Sequence, residues 1–136
     1  MLRDTEKLLQ LLLRFAGSVL LLATVGAILP REWMAAAHRL LGLGEMSPGP
    51  LVEYLARSAS LLYAIHGGAL WACSFDVRRH RPVIAYLGAS TFAFGFGVHV
   101  IDIFAGLPWY WTALEGPPTA AMGAATLMLA LRLDEP

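Results

Sequence analysis

Four stretches of the chain are apolar almost without interruption: residues 8–29, 51–75, 83–104 and 118–133. A helix needs about 20 mostly apolar residues to cross about 30 Å of hydrocarbon. Backbone N–H and C=O groups in hydrocarbon must be satisfied within the segment, and these runs are too long for strands, so the pattern predicts four membrane-spanning helices. Pro30 and Arg31 close the first span, and the turn Ser47-Pro48-Gly49-Pro50 leads into the second. Pro82 opens the third at a position where a missing N–H is harmless. The fourth span is the shortest.

The connection between spans one and two has a pattern of its own. In residues 31–44, Trp33, Ala37, Leu40 and Leu41 recur at i, i+4, i+7 and i+8, while Glu32 and Arg39 project elsewhere. This spacing predicts a short amphipathic helix in the membrane interface, anchored by Trp33. The alternative is a structured loop packed over the end of the spans. The predicted fold is therefore all-α: a four-helix transmembrane bundle with a short interfacial helix between spans one and two, forming a single integral membrane domain over residues 1–136. Residues 8–29 are longer than a usual signal-peptide core, are interrupted by Arg14 and have no small-residue cleavage site before Pro30, so they are read as a retained span.

Composition narrows the function classes. The chain is 57% apolar and only 15% of its residues are charged, against roughly 25% in soluble domains. The mean hydropathy is +0.60. A formal net charge of zero removes any electrostatic case for nucleic acid as a partner. Cys73 is the sole cysteine, so there is neither an internal disulfide nor a Cys-based zinc set. Rossmann, P-loop, zinc-protease and nucleophile-elbow patterns do not occur.

Lys and Arg set the expected orientation. Arg3 and Lys7 precede span one, Arg78, Arg79 and Arg81 lie between spans two and three, and Arg132 lies at the end of span four. Arg31 and Arg39 lie between spans one and two, and residues 106–117 contain no basic residue. The positive-inside rule places both termini and residues 76–82 in the cytoplasm. Trp109, Tyr110 and Trp111 then form an aromatic rim at the outer headgroup level.

On this topology Glu53, Arg57, His99, Asp102 and Glu115 all fall near the outer end of the spans. Charges in a bilayer cost roughly 2.5–3.5 kcal/mol each on insertion scales, so they face inward and pair. Glu53, Arg57, Ser60, Ala64 and Gly67 share one face of span two. Gly88, Phe92, Gly95, His99, Asp102 and Gly106 share one face of span three, and small residues on such faces let helix backbones approach. Ala120, Gly123 and Ala124 give span four a comparable face. The expectation is that the Gly-rich face of span three meets span two and that Arg57 lies near Asp102 and Glu115, with His99 beneath.

Two readings follow. In one, Arg57 bridges carboxylates to tie the spans together. In the other, the five residues line an outward-facing cleft, where Arg57 holds an anionic group and His99 is acid, base or ligand. No metal or cofactor is expected: paired Glu-x-x-His motifs are absent. His66 lies on the opposite face of span two from Arg57 and roughly 9 Å deeper than His99 at 1.5 Å per residue, unlike two axial haem ligands. Arg14 is expected to snorkel to the cytoplasmic interface. Residues 76–81 are topogenic, and the same charges would attract anionic lipid headgroups.

Ala56-Arg57-Ser58, Leu62-Tyr63-Ala64, Gly67-Gly68, Asp76-Val77-Arg78-Arg79, Asp102, Gly106, Pro108, Trp111 and Glu115-Gly116-Pro117 give the last three spans a further likeness. Through them the chain resembles small uncharacterised bacterial four-span membrane proteins, DoxX-like in size and layout. The resemblance implies fold and topology and carries no reaction. The leading functional expectation is a non-enzymatic membrane protein that binds a small molecule or lipid in an outward-facing polar pocket, or serves as an accessory subunit. A membrane enzyme using His99, Asp102 and Glu115 in acid–base chemistry, or a small oligomeric transporter, is the alternative. Expected partners are membrane lipids, a small-molecule ligand, and copies of the chain or a larger membrane complex.

Overall fold

A computed structural model describes residues 2–133, and among these the chain is helical, without strands. Six helices follow in order: α1 (Leu2–Leu21), α2 (Thr24–Ile28), α3 (Arg31–Leu40), α4 (Pro50–Cys73), α5 (Arg81–Phe104) and α6 (Trp109–Arg132). Two helical stretches, Asp4–Ile28 and Arg81–Phe104, are long and apolar enough to cross a membrane. Glu53 and Arg57 in α4, and Glu115 with Pro117 and Pro118 in α6, make those two helices more polar than α5.

The first expected span runs as one helical stretch with a tight step inside it. α1 ends at Leu21, and Ala23 N–H then donates to Leu20 O at 3.0 Å, a three-residue step that resets the helix before α2. Thr24 and Gly26, both weak helix formers, sit just beyond the break. The fourth helix also departs from expectation. It starts at Trp109, nine positions before the predicted 118, so the aromatic trio and Glu115 belong to a helix and not to a loop. Pro108 precedes its first turn, and Trp111 N–H and Thr112 N–H both bond to Pro108 O. Pro117 and Pro118 lie inside the helix and leave the carbonyls of Ala113 and Leu114 without their usual donors. The hydroxyl of Thr119 bonds back to Glu115 O at 2.6 Å and braces this stretch. The predicted interfacial segment is helical over Arg31–Leu40 and ends in a Schellman turn at Gly42, with φ of 71°.

The chain resolves into two compact units. The first comprises Met1–Ala16 with Leu70–Pro136. Its core is built from Leu9 and Leu13 of α1, Leu70 and Cys73 of α4, Val77 of the following turn, Ile84 and Leu87 of α5, and Ala130 of α6. α5 and α6 pack backbone to backbone, because a Cβ on Gly88 would stand 2.7 Å from Leu127 N and one on Gly116 would stand 2.5 Å from His99 Cβ. Gly88 and Gly95, which the sequence assigns to a contact with span two, thus lie against α6. Arg14 donates to Ser74 Oγ at 3.3 Å and stacks over Trp71 at 5.5 Å, so it has interhelical partners besides its route to the interface.

The second unit is Gly17–Ala69. Here α4 approaches the first helical stretch closely: a Cβ on Gly67 would lie 2.7 Å from Gly17 O. Large apolar side chains remain exposed on most helices, among them Phe15, Leu62, Ile65, Phe96, Ile103 and Phe104.

Candidate functional site

The five candidate residues divide between the two units, Glu53 and Arg57 in one and His99, Asp102 and Glu115 in the other. The structure describes two separate arrangements, and they differ in kind.

In the first arrangement each guanidinium nitrogen of Arg57 has an acceptor. Arg57 Nε donates to Glu53 Oε1 at 3.0 Å, one turn away on α4. Its two terminal nitrogens donate to Ala27 O at 2.7 Å and Leu29 O at 2.9 Å. These carbonyls close α2 immediately before Pro30, which has no N–H and stops the helix. The guanidinium thus caps a helix end that the sequence leaves open. Glu53 also accepts from Arg31 at 3.2 Å, and Arg31 bonds in turn to Gly49 O and Ser47 O. The result is a clamp that fixes the Pro30 turn and the 47–50 turn to α4. Sequence reasoning assigned Arg57 to other carboxylates and missed both Arg31 and the carbonyl acceptors. The signal was Pro30, which orphans carbonyls in its vicinity.

The second arrangement lies at the end of the α5–α6 pair and has the opposite character. α5 ends in a Schellman motif: Leu107 N–H bonds to Asp102 O, Gly106 N–H bonds to Ile103 O, and Gly106 has a φ of 68°. Asp102 therefore sits three residues from the cap, in the last turn, where the negative end of the helix dipole disfavours an anion. Its side chain is 4% exposed, and its Oδ2 has no hydrogen-bond partner among the described residues.

Glu115, seven residues into α6, lies within electrostatic range of Asp102 and accepts a hydrogen bond from the Trp111 indole. His99, one turn before Asp102, places Nδ1 3.1 Å from Thr112 O. A carbonyl only accepts, so Nδ1 carries the proton and the neutral ring keeps Nε2 as an acceptor. The aromatic residues begin α6: Trp109 is exposed and meets Tyr110 edge-on at 6.1 Å, while Trp111 turns its indole to Glu115.

The chemistry of this end is that of acceptors. Between Arg81 and Arg132 the chain has no Lys or Arg, and Asp102 and Glu115 are its only charged residues. Such a set repels anions and attracts protons or cations. No group of three or more His, Cys, Asp and Glu side chains placed to hold a metal ion occurs among the described residues. Comparisons with protein families, with curated proteins and with solved structures find no match to this chain.

Proposed function

We propose that the chain is a four-span protein of the bacterial inner membrane, with both termini in the cytoplasm. In this reading it binds a small ligand at an outward-facing polar site on the α5–α6 pair, and it is a binding or accessory subunit rather than an enzyme. The carrying observation is Asp102. A carboxylate oxygen buried without a donor costs more than almost any other arrangement of a side chain, and such groups are kept where something outside the chain completes them. Glu115 beside it, the Trp111 donor and the His99 acceptor supply a small polar centre in an otherwise apolar helix pair.

Glu53, Arg57 and Arg31 have a structural role in this account, because their charges are paired and the Arg57 nitrogens are all in use. The exposed apolar side chains on α1, α4 and α5 support burial in lipid. α3, with Trp33 and Leu40 exposed on an apolar side, supports an interfacial placement.

Topology reporters test this placement. Fusions at residue 46, at residue 80 and at the C-terminus should read outside, inside and inside, because of the Lys/Arg asymmetry. A C-terminus that reads outside overturns the orientation and turns the Asp102 end of α5 toward the cytoplasm.

A further inference from the structure

Resting on that reading, we propose that Asp102 and Glu115 together hold one small monovalent cation, a proton or an alkali ion, between α5 and α6. Four observations converge. Asp102 Oδ2 is buried and unpartnered among the described residues, so the site has an open acceptor aimed into the protein. The second carboxylate, Glu115, adjoins Gly116, which packs against His99 one turn before Asp102, and it stands within electrostatic range of Asp102; like charges so placed in an apolar surrounding favour an added cation. The position of Asp102 in the last turn of α5 adds the negative end of the helix dipole to the same spot.

The fourth observation is the lack of an internal counter-charge on this helix pair. No Lys or Arg lies between Arg81 and Arg132. Within the same unit the arginine contacts to Ser74, Glu6 and Ala130 gather at the Arg81 end of α5. That end is about 30 Å along the helix from Asp102 at about 1.5 Å per residue. In the other unit, Arg31 and Arg57 are committed to Glu53 and to backbone carbonyls.

The occupant must be compact. The α5 and α6 backbones touch at Gly95, two turns before Asp102, and at Gly116, next to Glu115, and even a methyl group would not fit at Gly116. An organic ammonium ion is too large to lie between helices so close. A proton needs no space, and on either carboxyl it would leave the pair a single negative charge, with the Trp111 N–H beside Glu115. A dehydrated alkali ion would draw on the same two carboxylates with the nearby carbonyls. His99 is the other titratable group facing the pair. Its Nδ1 proton is held by Thr112 O, so it adds an acceptor and no positive charge while the ring is neutral.

The test uses the full-length protein in nanodiscs of phosphatidylethanolamine and phosphatidylglycerol, with two measurements on wild type, Asp102→Asn and Glu115→Gln. Infrared spectra at neutral pH should show a protonated-carboxyl stretch in wild type that both variants lose, if the cation is a proton. If it is an alkali ion, the thermal midpoint of wild type should rise with each tenfold increase in Na+ or Li+ replacing N-methylglucamine at constant ionic strength. Both variants should then lose that dependence. Either signal supports the site and identifies the cation. A wild type with neither signal overturns it and leaves the carboxylates bound to water alone. Failure here, with the topology reporters reading as expected, removes the cation and keeps the outward-facing site; failure of the reporters removes the reading on which it rests.

Discussion

Gly95→Val should separate α5 from α6 and destroy the carboxylate centre. A Cβ at position 95 would meet backbone atoms on the facing helix, Gly116 O at 2.8 Å and Ala120 Cα at 2.9 Å. Backbone cannot swing aside as a side chain can, so relief requires the helices to move apart along their shared face. Overpacking a core usually costs 1–3 kcal/mol. With backbone on both sides we expect at least about 3 kcal/mol, read as a collapse of folded yield in detergent and a lower melting midpoint. Gly97 is two residues away on the same helix and would meet nothing within 4 Å. Gly97→Ala should therefore be neutral or slightly stabilising, since Ala is favoured over Gly in a helix by roughly 0.5–1 kcal/mol. A Gly95→Val variant as stable as Gly97→Ala would mean that the α5–α6 backbone contact does not form.

Arg57→Ala is expected to be the most damaging change of a charged residue in the helices. It removes the donors to Ala27 O and Leu29 O and leaves Glu53 with Arg31 alone. An orphaned acceptor costs about 1–3 kcal/mol when buried, but these carbonyls are part-buried and the Arg57 side chain is 33% exposed, so solvent recovers part of the loss. The net expectation is about 2–4 kcal/mol. Arg57→Lys should recover only part of it, because one ammonium cannot reach three acceptors in the geometry of a planar fork. Arg14→Ala gives the comparison. Arg14 is exposed, with one hydrogen bond to Ser74 and a stacking contact on Trp71, worth about 0.5–1 kcal/mol. Folded yields in detergent for the three variants should rank Arg14→Ala above Arg57→Lys above Arg57→Ala. An Arg57→Ala yield equal to that of Arg14→Ala would mean that the α2 cap is unimportant.

The helices were largely legible in the sequence, because long apolar runs bounded by Pro, Gly and charge leave few alternatives. α4 and α5 begin and end within two residues of their predicted bounds. The interruption at Leu22 and Ala23 was not legible, since both residues favour a helix. The start of α6 was missed for a physical reason. Pro117-Pro118 reads as a helix breaker, yet a helix tolerates the loss of two N–H groups when Pro108 starts it and a Thr119 hydroxyl braces the gap.

At the candidate site the contrast is sharper. The shared face of His99 and Asp102 follows from their spacing, and the small residues of α5 announce a close contact. Which helix those glycines meet does not follow, because α4 and α6 both offer small faces. The role of Arg57 was hidden as well, since a sequence displays side chains and not the carbonyls that a proline leaves open.

Asp102→Asn tests the central claim most directly. If Asp102 is kept for a bound cation, Asn reproduces the shape of the loaded, neutral form. The variant should then melt at or above wild type in nanodiscs at neutral pH. If Asp102 instead anchors the helices through a donor in the protein, the change weakens a charge-assisted hydrogen bond and adds a buried N–H without an acceptor, at about 1–3 kcal/mol. A variant that melts well below wild type would contradict the account.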